Sequence, residues 1–175
     1  DISSAAFLLV AATICPGSDL LLPGVGINPT RSAILAILRL MGADIEISSE
    51  RLESNEPVCD LRVRSASLRG IDIPADFVAN AIDEVPVLAI AAAAASGVTR
   101  VRGARELRVK ESDRIAAIVQ GLGTLGIDAV EYPDGMDITG GAFGSGSVDS
   151  FGDHRIAMAF ACLLYTSDAA DDLWC

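Results

Sequence analysis

The stretch Val85-Pro-Val-Leu-Ala-Ile-Ala-Ala-Ala-Ala-Ala95 is the longest uninterrupted apolar run in the chain. It is too short to span a bilayer, which needs about 20 apolar residues. Because it carries no polar residue on any side, it predicts a helix that is buried all round. A helix of this kind favours a fold with helices in its interior.

Two other segments of the chain repeat each other. After Arg31 and again after Arg114, the sequence gives an amphipathic helix, then Met-Gly or Leu-Gly, then a strand that carries an aspartate. Gly42 and Gly126 stand where a helix end favours a residue with positive φ. The order helix, strand, helix, strand, strand is therefore predicted twice. We interpret this repeat as a βαβαββ unit within one globular domain.

The predicted strands are short and carry alternating charge, whereas the predicted helices are apolar. The strands are 19–22, 43–48, 59–64, 99–102, 128–132 and 136–139, and the turns or loops are 23–26, 53–57, 133–135 and 140–147. This pattern predicts an α/β (α+β) fold of the inside-out prism type, with helices buried and sheets outside. Helices 2–15, 84–95 and 153–163 should be more buried than the strands.

The composition excludes several classes of function. The chain has 175 residues, is 51% hydrophobic and has a formal net charge of −11. This acidity argues against nucleic acid or an anionic membrane as a partner, since both attract a basic surface. No signal peptide is predicted at the start. The cysteines are scattered without a CxxC pair, which argues for a reduced, cytoplasmic protein without a zinc site: Cys15, Cys59, Cys162 and Cys175.

The only lysine and the only histidine both fall in short polar motifs next to apolar helices. Lys110 lies in Leu107-Arg-Val-Lys-Glu-Ser-Asp-Arg114, and His154 lies in Gly152-Asp-His-Arg155. Lys110 and Arg114 are spaced to share one face at a helix N-terminus, where the dipole favours acids instead. Two cations at the positive end of a helix dipole are locally unfavourable, and such a feature indicates an anion site. The alternative is a solvated first turn held by internal salt bridges.

An aspartate precedes each of three apolar helices, at Asp1, Asp83 and Asp153. Each is predicted to cap its helix by accepting hydrogen bonds from free N–H groups. If the helices lie side by side, charged side chains should converge at one rim: Asp83, Lys110, Arg114 and Arg155. His154 has no histidine or cysteine partner in the sequence, so no metal site is expected.

Five motifs follow one another along the chain: Asp1-Ile-Ser-Ser-Ala-Ala-Phe7, Gly26-Ile-Asn-Pro-Thr-Arg31, Ile82-Asp-Glu-Val-Pro-Val-Leu-Ala89, Leu107-Arg-Val-Lys-Glu-Ser-Asp-Arg114 and Gly152-Asp-His-Arg-Ile-Ala-Met-Ala159. Together they resemble the EPSP synthase family, the 3-phosphoshikimate 1-carboxyvinyltransferases. That family folds as two lobes of three βαβαββ units, with helices inside. The resemblance implies that residues 1–164 are an incomplete C-terminal lobe, without the N-terminal lobe and the final unit. Residues 165–175 fit no continuation and are expected to be a non-native tail.

The resemblance also implies a reaction. The family transfers the enolpyruvyl group of phosphoenolpyruvate to the 5-hydroxyl of shikimate 3-phosphate, in aromatic amino acid biosynthesis, without a metal or organic cofactor. By resemblance, Asp83 is the base or orients the hydroxyl, Lys110 binds the shikimate moiety and assists proton transfer, and Glu111 moves the proton at the methylene carbon. Arg114 and Arg155 would bind the phosphoenolpyruvate carboxylate, which suits the planar guanidinium.

Two alternatives stay open at this point. The first is enolpyruvyl transfer to UDP-N-acetylglucosamine, a reaction catalysed on the same fold with a reactive cysteine. Cys15, Cys59 and Cys162 do not lie in a catalytic type of loop. The second is an inert structural lobe, since this chain alone would need its N-terminal lobe for activity. The expected partners are the two small-molecule substrates, and the full-length protein is expected to be a monomer.

Overall fold

The computed structural model describes residues 1–165, and side chains as far as Leu163. The predicted order of elements is confirmed twice, as α1β1α2β2β3 and as α4β4α5β5β6. The elements are α1 (Ile2–Ile14), β1 (Asp19–Gly26), α2 (Ala33–Met41), β2 (Asp44–Glu53), β3 (Glu56–Arg64), α3 (Ala75–Asn80), α4 (Val85–Ala94), β4 (Val98–Val101), α5 (Arg114–Thr124), β5 (Asp128–Tyr132), β6 (Gly135–Thr139) and α6 (His154–Ala161). Short 3-10 helices span Ile82–Glu84, Arg105–Val109 and Cys162–Tyr165.

The strands form two antiparallel sheets of three strands each, in the orders β1-β3-β2 and β4-β6-β5. The segment before α3 runs beside β4 and forms parallel bridges between Arg69 and Ser96 and between Asp72 and Arg100. The segment that joins the two repeats therefore makes backbone contact with the second. Arg62 and Arg64 of β3 form ion pairs with acids of β1 and β2, as expected for a solvated outer face.

Helix α4 lies at the centre of the domain. Every residue of 85–93 is buried, and the helix contacts α1, α2, α5 and α6. Its side chains are mostly alanine and valine, so neighbouring helices can pack against it on all sides. Pro86 stands in its first turn, where the missing N–H breaks no helical hydrogen bond. The predicted all-round burial is confirmed for this helix. Within the described residues, no helix is long and apolar enough to cross a membrane.

The prediction that all three apolar helices are more buried than the strands is confirmed, although by the smallest margin for helix 153–163. Helix α1 is buried over most of its length, but only Ile156 and Ala159 are buried in α6, and Met158 is 44% exposed. The α6 helix packs on α4 and also contacts α5. Over the predicted range 153–163, Asp153, Cys162 and Leu163 are buried as well, so this segment is still buried to a larger share than the strands.

Two predicted turns are also corrected. Strand β1 continues through Pro23, with a shift in register between Leu22 and Val25, because a bulge tolerates a proline that cannot donate to the ladder. The turn between β2 and β3 is shorter than the predicted 53–57. Only Ser54 and Asn55 connect these strands, with φ of 50° and 67°, as in a tight hairpin.

The two repeated amphipathic helices end at glycines with positive φ, as predicted from the sequence. Gly42 and Gly126 have φ of 102° and 78°, the left-handed conformation predicted for both positions. The loop predicted over 140–147 contains no helix or strand. The predicted non-native tail, residues 165–175, lies outside the described residues except for Tyr165.

Candidate functional site

The charged residues singled out in the sequence meet where α4, α5 and α6 begin. Two of these helices are capped by an aspartate at that end, α5 by Asp113 and α6 by Asp153. Asp1 caps the start of α1 by accepting a hydrogen bond from the backbone N–H of Ser3. The N-terminal ends of helices carry free N–H groups and partial positive charge, so this rim favours anions.

Asp153 forms the buried centre of the site. Its carboxylate accepts hydrogen bonds from the backbone N–H groups of Arg155 and Ile156, at 2.9 and 3.4 Å. It also accepts from Arg114 Nε at 2.8 Å and from Ser112 Oγ at 3.1 Å. Burial acts to raise the pKa of Asp153, but the hydrogen bonds and charge of Arg114, with the other donors, outweigh it and lower the pKa below its ordinary value. Asp153 is therefore ionised at neutral pH.

Asp83 is the point on which the predicted cations converge. Its Oδ1 lies 3.6 Å from Lys110 Nζ and 3.4 Å from Arg114 Nη1. Its backbone carbonyl accepts a hydrogen bond from Arg155 Nη1 at 3.0 Å. The structure thus brings together all four residues that the sequence placed at one rim. The Asp83 side chain is 39% exposed, so it remains accessible to a ligand.

The prediction that Asp83 caps an apolar helix is wrong. Asp83 lies within the 3-10 helix Ile82–Glu84, and Glu84 takes the position before α4 without a side-chain capping bond. The carboxylate of Asp83 meets cations instead of backbone N–H groups. Pro86, in the first turn of α4, has no N–H to offer a cap.

Lys110 reaches the site by a different route from the one the sequence predicted. It follows the 3-10 helix Arg105–Val109 in an extended conformation, whereas α5 begins only at Arg114. The predicted shared helix face is therefore wrong, because Asp113 caps α5 by accepting from Ala116 N–H at 3.1 Å. Lys110 and Arg114 meet through their common partner, Asp83.

Lys110 is held in its charged form. Its ammonium group pairs with Glu106 and lies near Asp83. The hydrogen bond to Glu106 raises the pKa of Lys110 above its usual value, and Asp83 adds to this effect, while partial burial opposes it. Lys110 can therefore bind an anion or donate a proton at neutral pH, but it is not a base there.

Glu111 and His154 form the exposed edge of the site. His154 Nδ1 lies 2.8 Å from Glu111 Oε2, which is also 3.8 Å from Arg114 Nη2. No role was predicted for His154, although its position next to Asp153 was a signal available in the sequence. Ligand-type atoms of Glu111, Asp153 and His154 lie within 4.8 Å of one another. The Asp153 oxygens already accept hydrogen bonds from Arg114 and Ser112, so an ion-pair network explains this group.

The two arginines of the site differ in their availability. Arg114 is only 2% exposed, and each of its guanidinium nitrogens contacts a carboxylate of Asp83, Glu111 or Asp153. Arg155 uses Nη1 to contact the Asp83 carbonyl. Among the described residues, its Nε and Nη2 have no hydrogen-bond partner. Arg155 therefore presents open donors to a ligand, whereas Arg114 would have to exchange one of its present partners.

Arg108 fastens the segment that carries Lys110 and Glu111. Its Nε and Nη2 donate to the backbone carbonyls of Pro133 and Tyr132, at 2.9 and 2.6 Å, in the β5–β6 hairpin. Its Nη1 pairs with Asp113 at 2.8 Å and with Glu131 at 2.9 Å. This role of Arg108 was not predicted, since its partners in the hairpin are remote in sequence.

We expect Arg108→Ala to lower the free energy of unfolding by about 1–3 kcal/mol, because it leaves two carbonyls and two carboxylates without this donor. The measurement is urea unfolding of the protein with and without the change. Arg105→Ala is the matched control, because Arg105 is exposed in the same segment. It should alter stability by no more than about 0.5 kcal/mol. Equal effects of the two changes would contradict the anchoring role.

The fold of this chain is that of the enolpyruvyl transferases. It superposes on the enolpyruvyl transferase NikO from Streptomyces tendae with a TM-score of 0.63 over 95% of this chain and 36% of that one. At 20% sequence identity this likeness shows the fold alone. The family model of EPSP synthase (3-phosphoshikimate 1-carboxyvinyltransferase) matches residues 1–168, and the chain belongs to that family.

Individual relatives agree with this assignment. The 3-phosphoshikimate 1-carboxyvinyltransferase of Methylococcus capsulatus is 62% identical over 161 residues, and that of Legionella pneumophila (strain Paris) is 58% identical over the same length. Each alignment covers 92% of this chain. An EPSP synthase structure from Acinetobacter baumannii matches with a TM-score of 0.93 and 46% identity, over 96% of this chain and 40% of that one. The chain spans about 37% of the length of the curated relatives it matches.

Proposed function

We propose that the full-length protein containing this segment transfers the enolpyruvyl group of phosphoenolpyruvate to the 5-hydroxyl of shikimate 3-phosphate and releases phosphate. The observation that carries the proposal is the meeting of Lys110, Arg114 and Arg155 at Asp83, in a chain of the EPSP synthase family. In this proposal residues 1–164 are part of the C-terminal lobe of a cytoplasmic, monomeric enzyme of aromatic amino acid biosynthesis.

Asp83 and Lys110 are suited to bind and activate the 5-hydroxyl of shikimate 3-phosphate, which attacks phosphoenolpyruvate. The cation contacts of the Asp83 side chain both involve Oδ1, and within the described residues Oδ2 has no hydrogen-bond partner. That oxygen can orient the 5-hydroxyl and accept its proton. Lys110 stays protonated beside it and can bind the shikimate moiety or return a proton. Groups that transfer protons in this way contribute roughly 100- to 10,000-fold to a rate.

Glu111 is suited to transfer the proton that is added to the methylene carbon and later removed from it. Its side chain is half exposed and shares Oε2 with His154 Nδ1 at 2.8 Å. Through this hydrogen bond, His154 can accept a proton from Glu111 or return one to it. Glu111 and the buried Asp153 both contact Arg114 Nη2, and of these two carboxylates the half-exposed one of Glu111 is accessible from solvent.

The two arginines would bind the phosphoenolpyruvate carboxylate in succession. Arg155 has open nitrogens and offers the first contact. Arg114 has a short bond to Asp153, at 2.8 Å, and longer contacts to Asp83 and Glu111, at 3.4 and 3.8 Å. A substrate carboxylate can replace the longer contacts while the bond to Asp153 keeps the guanidinium in place. This exchange releases Asp83 and Glu111 for proton transfer.

The segment by itself is poor in positive charge for two phosphorylated substrates. Its site contains three cations and five carboxylates, namely Lys110, Arg114 and Arg155 against Asp83, Glu84, Glu106, Glu111 and Asp153. Phosphate groups need further cations, which the remaining length of the relatives would provide. Closure around the substrates would also exclude water and strengthen each ion pair.

The cysteine-dependent alternative receives no support from the two buried thiols. Cys59 and Cys162 are buried. Burial raises the pKa of Cys162 to about 11, and it also raises the pKa of Cys59. Both are therefore protonated at neutral pH, and a thiol is a weak nucleophile in that form.

The test uses a joined protein, in which the matched segment of this chain replaces its counterpart in the Methylococcus capsulatus relative. We expect phosphate release from phosphoenolpyruvate that depends on shikimate 3-phosphate and is not supported by UDP-N-acetylglucosamine. A polypeptide of only these 175 residues should release none, because its three site cations are too few for two phosphorylated substrates and no closure excludes water around them. Activity with UDP-N-acetylglucosamine alone, or none with either acceptor, would overturn the proposal.

A further inference from the structure

Glu84 is a buried carboxylate to which the proposed reaction gives no part. Its side chain is 5% exposed, next to Asp83 and directly before α4. It makes no capping bond to α4, so helix capping does not account for it. A buried carboxylate costs several kcal/mol unless charges or donors compensate it. Its partners therefore indicate what it does.

Those partners lie on two different helices. Ser3, in the first turn of α1, donates its hydroxyl proton to Glu84 Oε1 at 2.6 Å. The same oxygen lies 3.8 Å from Nη1 of Arg155, at the start of α6. Nη1 also donates to the Asp83 carbonyl at 3.0 Å. Glu84 thus connects the beginnings of α1, α4 and α6 through one carboxylate oxygen.

These contacts restrict one end of the Arg155 guanidinium and leave the other end open. Nη1 is fixed between the Asp83 carbonyl and Glu84. Within the described part of the chain, Nε and Nη2 remain without a hydrogen-bond partner. An arginine side chain otherwise loses considerable rotamer entropy when it binds a ligand. Prior restriction reduces that loss and so strengthens binding.

We propose that Glu84 is a positioning residue that holds Arg155 ready for the carboxylate of phosphoenolpyruvate, with Ser3 fixing the rotamer of Glu84. This inference rests on the proposed function. Glu84 itself does not touch the substrate. Its negative charge attracts Nη1, and its depth in the protein keeps that attraction from being screened by water. Glutamine has the same shape and can still accept from Ser3, but it lacks the charge.

The experiment measures steady-state kinetics of the joined protein with Glu84→Gln, Arg155→Ala and the double variant. Glu84→Gln should raise KM for phosphoenolpyruvate about tenfold, in keeping with loss of one charge-assisted contact, and change kcat by less than about threefold. KM for shikimate 3-phosphate should not change. Arg155→Ala should raise KM for phosphoenolpyruvate further, and the double variant should match Arg155→Ala, because Glu84 acts only through that arginine.

Two further variants supply the controls. Glu50→Gln removes a charge from an exposed position on β2 and should leave both KM values unchanged. Ser3→Ala should raise KM for phosphoenolpyruvate about threefold, since the Glu84 carboxylate loses the hydrogen bond that fixes its rotamer. Ser4→Ala, at the neighbouring exposed serine of α1, should have no effect.

The outcomes separate this inference from the proposed function. If Arg155→Ala raises KM for phosphoenolpyruvate but Glu84→Gln only lowers the melting temperature, Glu84 is structural and the inference fails alone. Additive effects in the double variant would also overturn it. If Arg155→Ala leaves KM for phosphoenolpyruvate unchanged, then the assignment of Arg155 in the proposed function fails together with this inference.

Discussion

Asp83→Asn is expected to reduce kcat of the joined protein by about 1,000-fold, within the range observed for groups that transfer protons. Asparagine has the shape of aspartate but cannot accept the hydroxyl proton. The change also removes the charge that holds Lys110 and Arg114 together, at 3.6 and 3.4 Å. Stability should change little, because the side chain is partly exposed. The measurement is kcat at saturating concentrations of both substrates.

Asp76→Asn is the control for that experiment. Asp76 is an exposed aspartate in the first turn of α3, so its replacement should leave kcat unchanged. A kcat within about threefold of the unchanged protein for Asp83→Asn would rule out Asp83 as the proton acceptor, since such a group contributes at least about 100-fold.

Asp153→Asn is expected to lower the free energy of unfolding by about 3–5 kcal/mol, the usual cost of removing one partner from a buried ion pair. Arg114 would then be a buried cation with only the longer contacts to Asp83 and Glu111. Asparagine is itself a good capping residue, so the loss reports the ion pair and not the cap of α6. The measurement is chemical unfolding at neutral pH, with Asp128→Asn as an exposed control on β5.

The stabilising effect of Asp153 should also depend on pH. Since the folded-state pKa of Asp153 is lowered, its contribution is fully present above the unfolded-state pKa of about 3.9. It is lost as the pH falls through the still lower folded-state pKa. The difference in stability between the unchanged protein and Asp153→Asn should therefore shrink in acid. A difference that stays constant from pH 7 down to about 2 would contradict an ionised Asp153.

The core of the fold could be predicted from the sequence because it depends on local pattern. The apolar run 85–95 has no polar face, and the structure places α4 at the centre of the helices. The repeated helix and strand order was also visible, because glycines end both amphipathic helices. The exposed face of α6, which includes Met158, was not predictable in this way. It depends on which elements cover the helix, and composition carries no information about that.

The sequence predicted which four charged residues converge at the rim, namely Asp83, Lys110, Arg114 and Arg155. It did not predict their local geometry. Lys110 and Arg114 were expected on one helical face, yet α5 begins after Lys110 because Asp113 caps it. The two residues meet through Asp83, which is remote in sequence. Glu84 and Arg108 were missed for the same reason. Their partners lie on other elements, and no spacing within a single segment reveals such contacts.

The carboxylates around the cations act as counter-ions that the chain itself supplies. Each cation of the rim forms an ion pair with a carboxylate of the same chain. The segment can therefore fold without binding a counter-ion from solvent. At Arg114 an anionic ligand must displace such a carboxylate, and its affinity there is the difference between two ion pairs. An anion that fits the guanidinium with two hydrogen bonds forms a stronger ion pair than the contact it replaces, whereas chloride or another small ion does not. The acids thereby convert a general attraction for negative charge into discrimination among anions.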